Sequence, residues 1–172
     1  MKLNEVMEKK NENENKGTYA GVRFDDDTVS RVKAFAVQHE IPNRVPRKSM
    51  HSTVLYSRKF LPEYKPAGEY EEPLTGAPTQ FNVWESQPDE DGKKSNCLVL
   101  EYDCPRLVDR HKSLMDEHEA EYDYDEYKPH MTLSYDIGDL DVSKFDPSAV
   151  GDLNIVNEYD EELNFDWAKD NT

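Results

Sequence analysis

The tripeptide His-x-Thr occurs twice in this chain, and strand-forming residues follow each copy. The first copy opens the run His51-Ser-Thr-Val-Leu-Tyr56 and the second opens His130-Met-Thr-Leu-Ser-Tyr135. Successive side chains of a β-strand point to opposite faces, so His51 shares a face with Thr53, and His130 with Thr132. The residues expected on the opposite faces are Ser52, Val54 and Tyr56 in the first copy and Met131, Leu133 and Tyr135 in the second.

The segments that precede the two copies also match. Residues 19–24 predict a strand and residues 27–40 a helix capped by Asp26 or Asp27, while residues 96–102 and 105–119 predict the same pair before the second copy. Thirty-two positions separate Tyr19 from His51, and the same number separates Leu98 from His130. This spacing indicates a tandem repeat of a strand, a helix and a His-x-Thr strand.

The rest of the chain completes an α+β fold. Residues 61–70 predict an irregular connector, residues 79–85 a strand that pairs with 97–100 across a turn-rich loop, and residues 153–159 a last strand that 163–167 extend or follow. We therefore expect two similar lobes, each an antiparallel sheet backed by a helix, with the His-x-Thr strands meeting in a central cleft.

Two imidazoles and two hydroxyls on adjacent strands supply what phosphodiester cleavage needs. A histidine with a pKa near 6.5 can take or give a proton at neutral pH, so His51 and His130 can act as a base and acid pair. Thr53 and Thr132 can donate hydrogen bonds to the phosphate oxygens as negative charge builds. A single strand histidine is more often structural, and only the second copy makes catalysis the better hypothesis. Which histidine is the base stays open.

These motifs resemble those of the two-histidine (2H) phosphoesterases, over roughly residues 17–167. Within that span, Gly17-Thr-Tyr-Ala-Gly-Val, Ile41-Pro-Asn, Met50-His-Ser-Thr-Val-Leu-Tyr-Ser-Arg-Lys59 and Tyr127-Lys-Pro-His-Met-Thr-Leu-Ser-Tyr135 are similar to the phage anti-CBASS branch. Members of that branch degrade the cyclic oligonucleotide signals of bacterial defence. The resemblance implies a phosphodiesterase that cleaves 3'–5' linkages of cyclic di- and trinucleotides of the cyclic GMP-AMP and cyclic tri-AMP class.

Aromatic residues at strand ends suit such a substrate, because a base can stack on an aromatic face. Tyr19, Trp84 and Trp167 are the candidates for stacking, and Glu161 or Glu162 could accept a hydrogen bond from an adenine amine. The alternative is that the aromatic residues fill the core and that the acids are solvated surface charges.

The charge distribution limits the class of partner. The net charge is −16, but residues 17–65 carry nine basic against five acidic side chains, whereas residues 66–172 have a net charge of −20. A long nucleic acid needs many basic contacts, so we expect no such partner. A small phosphorylated ligand near His51 fits the net +4 of residues 17–65. The acidic half is expected to be a solubilising surface.

The sequence predicts a cytoplasmic protein without cofactor or metal. Residues 1–16 are polar and of low complexity, which predicts a mobile tail before a single bilobal domain at residues 17–172. No segment is apolar enough for a secretion signal or a membrane span, so the cytoplasm, of the host if the gene is a phage's, is expected. Cys97 and Cys104 are then expected to be reduced thiols. His111 and His118 are expected on a helix packing face, because no further residues at a suitable spacing complete a set of metal ligands with them.

Three other functions remain open from the sequence. The protein could be a 2H phosphodiesterase of RNA ends, of 2',5'-oligoadenylates or of cyclic phosphates of nucleotides. It could also be a non-catalytic sponge for signal nucleotides, or an acidic mimic of DNA. Neither a sponge nor a mimic requires two matched imidazoles, which disfavours both.

Overall fold

The computed structural model describes residues 16–118 and 126–164. Its strands are β1 (Lys16–Phe24), β2 (Ser52–Ser57), β3 (Gly68–Glu85), β4 (Asn96–Asp103), β5 (His130–Ser134) and β6 (Leu153–Asn164), and its helices are α1 (Asp26–Gln38) and α2 (Pro105–His118). Short 3₁₀ turns lie at Arg47–Ser49 and Pro147–Val150. Apart from Lys16, which begins β1, the predicted tail lies outside the described residues.

The six strands form one antiparallel sheet in the order β2-β1-β6-β3-β4-β5, which confirms the predicted α+β class. The two His-x-Thr strands are at opposite ends of this order. They nevertheless meet, because Ser52 Oγ donates a 2.6 Å hydrogen bond to the His130 carbonyl and accepts a 2.8 Å bond from the Tyr102 hydroxyl. The sheet must therefore curl until its two edge strands face each other.

Strand β3 joins the two halves of the sheet. Its first part pairs with β6, from Gly68 to Gly76, and its second part pairs with β4, from Ala77 to Glu85. At the changeover a Cβ on Gly76 would lie 2.5 Å from the Tyr102 ring, so only glycine lets that ring pack across the strand. We name the half with β1, β2, β6 and the first part of β3 the first half-sheet, and the half with the second part of β3, β4 and β5 the second half-sheet.

The expected connector at residues 61–70 and strand at 79–85 were partly wrong, because β3 already begins at Gly68. The register shifts between Glu69 and Leu74, where Pro73 lacks a backbone donor and the neighbouring acids are exposed. This polar, interrupted stretch has no strand periodicity of its own, and pairing with β6 makes it a strand. The predicted last strand is confirmed and extends to Asn164.

Each helix packs against the half-sheet of the other repeat. From α2, His111 Nδ1 donates a 2.7 Å hydrogen bond to the Val54 carbonyl of β2. From α1, the Phe35 ring stacks on Phe81 of the second half-sheet with 5.2 Å between centroids. The predicted apolar face of α1 is confirmed, since Val29, Val32, Phe35 and Ala36 are buried. The predicted cap was wrong, because Asp25 accepts from the Thr28 amide at 2.8 Å.

The predicted alternation in the His-x-Thr strands holds for their first residues and then fails. In β2, Ala20 pairs with Leu55 and Gly21 with Thr53, so Val54 is an extra residue of a bulge and Leu55, not Tyr56, is fully buried. In β5, Met131 and Leu133 are buried as expected, but the strand ends at Ser134 and Tyr135 is half exposed. The faces of Thr53 and Thr132 are as predicted.

Candidate functional site

The two histidine rings are held in the same way. His51 Nδ1 lies 2.7 Å from the Ser49 carbonyl, and His130 Nδ1 lies 3.0 Å from the Lys128 carbonyl. A carbonyl oxygen can only accept, so each ring carries its hydrogen on Nδ1. The Nε2 atom of each neutral ring is then left with a lone pair that can accept a proton. Both rings are partly buried beside one another, where β2 and β5 meet.

Burial lowers the pKa of His130, and repulsion from the nearby His51 imidazole lowers it further. The hydrogen bond to the Lys128 carbonyl and the negative charge of Glu101 act in the opposite direction. At neutral pH these effects together favour the uncharged ring of His130.

The two threonines have different surroundings. Thr53 Oγ1 and the Tyr19 hydroxyl share a 3.0 Å hydrogen bond, whereas Thr132 lies on β5 opposite Val99. Tyr19 also packs edge-on against the His51 ring, with 6.2 Å between centroids. Burial raises the pKa of Tyr19, so its hydroxyl stays protonated and can donate at neutral pH. Tyr19 was predicted to stack on a base, and that role stays a prediction; the structure shows its hydroxyl bonded to a candidate catalytic side chain.

Trp84 lies on the second side of the cleft. Its ring is 4.4 Å from the His130 ring between centroids, and the side chain is 39% exposed. An exposed indole beside a functional imidazole offers a face on which a base can stack. Glu161 is exposed on β6, opposite Tyr19, and Glu162 pairs with Thr18. Trp167 lies outside the described residues, so its predicted role stays a prediction.

Two groups of side chains around the cleft were not predicted from the sequence. On the first side, Arg23 lies over the Tyr159 ring, 4.4 Å from its centroid, and donates a 3.1 Å hydrogen bond to the Lys48 carbonyl. On the second side, Glu101 is 3% exposed and pairs with His130 across β4 and β5. Glu101 had a detectable signal, since it is an acid within the otherwise apolar run 97–102.

The remaining titratable residues singled out in the sequence have structural surroundings. His111 is buried against β2, and the partly buried His118 packs edge-on against Tyr64 with 6.1 Å between centroids. Across residues 16–118 and 126–164, no three His, Cys, Asp or Glu side chains are grouped so that they could hold a metal ion. Within the same residues, neither helix has the length and apolar character to cross a bilayer.

Solved structures with a similar fold include Escherichia coli LigT. The LigT structure in complex with ATP superposes with a TM-score of 0.52 at 12% identity, and the match covers 84% of this chain and 85% of LigT. At that identity the similarity establishes the fold alone, and it agrees with the predicted α+β architecture.

Sequence relatives are more informative. The family model for the anti-CBASS protein Acb1 matches residues 16–170. The Acb1 protein of Acinetobacter phage Ac42 is 36% identical over 154 residues, covering 88% of this chain and 94% of the relative. The Acb1 protein of Enterobacteria phage T4 is 35% identical over 161 residues, covering 90% and 93%. With the fold and the paired His-x-Thr strands, these matches establish that the chain belongs to the Acb1 family of anti-CBASS proteins.

Proposed function

We propose that this protein is a metal-independent phosphodiesterase that cleaves 3'–5' linkages of cyclic di- and trinucleotide signals in the host cytoplasm and so blocks CBASS defence. The observation that carries the proposal is the pair of imidazoles, each with Nδ1 bound to the carbonyl two residues earlier and with Nε2 left for proton transfer. Membership of an anti-CBASS family supplies the class of substrate.

The reaction begins at the ribose 2'-hydroxyl next to the scissile phosphate. One imidazole Nε2 takes the hydroxyl proton while the oxygen attacks phosphorus, and the other imidazole, protonated, gives its proton to the leaving 5' oxygen. The product is a linear nucleotide with a 2',3'-cyclic phosphate, which water opens in a second step with the two roles reversed. Thr53 and Thr132 donate hydrogen bonds to the non-bridging oxygens during both steps.

The aromatic residues position the substrate for this attack. Trp84 stacks on one base beside His130, and Glu161 accepts from an exocyclic amine of another. Tyr19 holds Thr53, since the two hydroxyls are 3.0 Å apart. The cyclic GMP-AMP and cyclic tri-AMP class, which has adenine amines and ribose 2'-hydroxyls, fits these groups.

A panel of substrates tests the proposal. Cyclic dinucleotides, cyclic trinucleotides, linear 3'–5' and 2'–5' oligoadenylates and nucleoside 2',3'-cyclic phosphates are incubated with the protein, with and without EDTA, and the products are identified by mass. We expect cleavage of the cyclic 3'–5' compounds at a rate that EDTA leaves unchanged. The matched control is the double variant His51→Ala/His130→Ala, purified in the same way, which should cleave none of them.

Three results would contradict the proposal. Turnover of only the linear, 2'–5' or mononucleotide compounds would identify an enzyme of RNA ends or of cyclic phosphates. Tight binding of cyclic nucleotides with no cleavage by the wild-type protein would identify a sponge. Loss of all activity in EDTA, with recovery on adding one divalent ion, would contradict the metal-independent mechanism.

A further inference from the structure

Three side chains lie in a row across the second half-sheet and end at His130. Gln80 of β3 pairs with Glu101 of β4, and Glu101 pairs with His130 of β5. Directly paired residues of an antiparallel sheet present their side chains on the same face. The carboxylate of Glu101 therefore lies beside the imidazole of His130.

The carboxylate of Glu101 is held from two sides. Gln80 Nε2 donates to Glu101 Oε2, and Lys128 Nζ lies 3.8 Å from Oε1. Lys128 contacts both Glu101 and His130, because its backbone carbonyl also accepts the hydrogen bond from His130 Nδ1. A single residue thus fixes the imidazole through its backbone and approaches the carboxylate with its side chain.

Burying a carboxylate at this position costs free energy, and packing alone does not require an acid there. Removing a charge from water costs several kcal/mol unless it is well paired. Val99, which shares the face of Glu101 on β4, is fully buried, so this face accommodates an apolar side chain. Glu158, the other buried acid among the described residues, is structural: Arg110 Nε and Nη2 each donate to it at 2.9 Å. Glu101 has the half-exposed ammonium of Lys128 instead.

The effect of Glu101 on His130 is electrostatic. The groups that act on the ring are Glu101 from β4, the His51 imidazole at the start of β2 and Lys128 on the segment before β5, while Trp84 adds an uncharged ring. Burial and His51 oppose a positive charge on His130, and Glu101 favours one. Any mechanism in which His130 gains or holds a proton needs such a compensating charge.

We infer that Glu101 is a positioning residue of the reaction, a buried carboxylate that stabilises the protonated form of the His130 imidazole. The inference deepens the proposed function and rests on it for its catalytic meaning. It applies to one half of the repeat only. In the first half-sheet, Arg23 follows the Val22 that pairs with Ser52, and its guanidinium lies over the Tyr159 ring.

The test is the titration of His130, followed by NMR through the carbon-bound protons of its ring, with the missing signal in His130→Ala giving the assignment. Glu101→Gln keeps the shape of the side chain and its capacity to accept from Gln80 but removes the charge. We expect its His130 midpoint to shift to lower pH. Glu101→Asp keeps the charge and should titrate close to wild type. Glu85→Gln, which removes a carboxylate that pairs with Lys94 at the far end of β3, is the matched control and should not shift the midpoint.

The titration needs no substrate, so it distinguishes failure of this inference from failure of the proposed function. An unchanged midpoint in folded Glu101→Gln would overturn the inference, even if the protein cleaves cyclic nucleotides. Equal shifts in Glu101→Gln and Glu101→Asp would also overturn it, since packing and not charge would then be responsible. With an active enzyme, the limb of the pH–rate profile that belongs to His130 should move to lower pH in Glu101→Gln, and whether that limb is acidic or alkaline assigns His130 as base or acid.

Discussion

The two sides of the cleft share a backbone arrangement and differ in the side chains that surround it. On both sides a histidine ring is bound through Nδ1 to the carbonyl two residues earlier, and a threonine follows two positions later. Beyond these residues the repeat is no longer symmetric. The first side has Tyr19 bonded to Thr53 and Arg23 over Tyr159, and the second side has Trp84 against His130 and the buried Glu101.

This difference indicates how a symmetric scaffold can carry out an asymmetric reaction. Cleavage of a phosphodiester needs one group that takes a proton and one that gives it, so two identical surroundings would not assign the roles. The buried Glu101 carboxylate beside His130, and the Arg23 guanidinium over Tyr159 in the first half-sheet, give the two sides of the cleft unequal charge. The comparison can be tested at each level, from the shared residues to those found on one side only.

The shared histidines should show the largest effect. His51→Ala and His130→Ala are each expected to lower turnover by about 10²- to 10⁴-fold, because each removes a general acid or base. The check is the single-turnover rate with a cyclic dinucleotide. His118→Gln, on the packing face of α2, is the control and should retain wild-type turnover. Near-normal turnover in either alanine variant would remove that histidine from the mechanism.

Loss of the threonine hydroxyls should have the next largest effect on the rate. Thr53→Val and Thr132→Val each remove one donor to the developing oxyanion, which is expected to cost about 10²- to 10³-fold in kcat. Thr53→Ser and Thr132→Ser keep the hydroxyl and should recover most of the rate. If the valine variants lost thermal stability but kept kcat, the hydroxyls would have a structural role only.

Trp84, found on the second side only, should affect binding more than chemistry. Trp84→Ala is expected to weaken substrate affinity by about 1 to 3 kcal/mol, the usual contribution of one stacked base. Equilibrium binding to the His51→Ala/His130→Ala protein measures it without turnover. Val83→Ala changes the exposed neighbour on β3 and should leave affinity as it is. Equal affinities for the Trp84 and Val83 variants would remove the stacking role.

The Tyr19 hydroxyl, found on the first side only, should have the smallest effect. Tyr19→Phe loses one hydrogen bond, a net contribution of about 0.5 to 1.5 kcal/mol, and we expect a correspondingly modest drop in kcat. Because the hydroxyl acts through Thr53, adding Tyr19→Phe to Thr53→Val should lower kcat no further. Independent, multiplicative losses would show that Tyr19 acts on the substrate directly.

Local patterns were enough to predict part of the geometry of this site. His and Thr two residues apart in a strand must share a face, so the faces of Thr53 and Thr132 could be read from the sequence. The apolar face of α1 could also be predicted from the local sequence pattern. The N-terminal cap of α1 could not be predicted in this way, because three consecutive aspartates offer the same chemistry and the backbone geometry at Asp25 decides among them.

Features that depend on distant contacts could not be predicted. The first part of β3 is a strand because β6 pairs with it, and its sequence alone resembles a connector. The packing of α2 on β2 reverses the expected partnership of helix and sheet, since the His111 bond to Val54 joins residues 57 positions apart. The row from Gln80 to His130 likewise requires three strands in register, which no local pattern specifies.

The most direct test of the mechanism compares a ribose cyclic dinucleotide with its 2'-deoxy analogue at the 3'–5' linkages. The deoxy compound retains the bases and phosphates, so it should bind, but it lacks the hydroxyl that attacks phosphorus and should not be cut. The ribose compound should be cut through a 2',3'-cyclic phosphate end that mass spectrometry detects at short times. Cleavage of the deoxy analogue at a comparable rate would show that water attacks directly and would contradict the internal attack assigned to the two histidines.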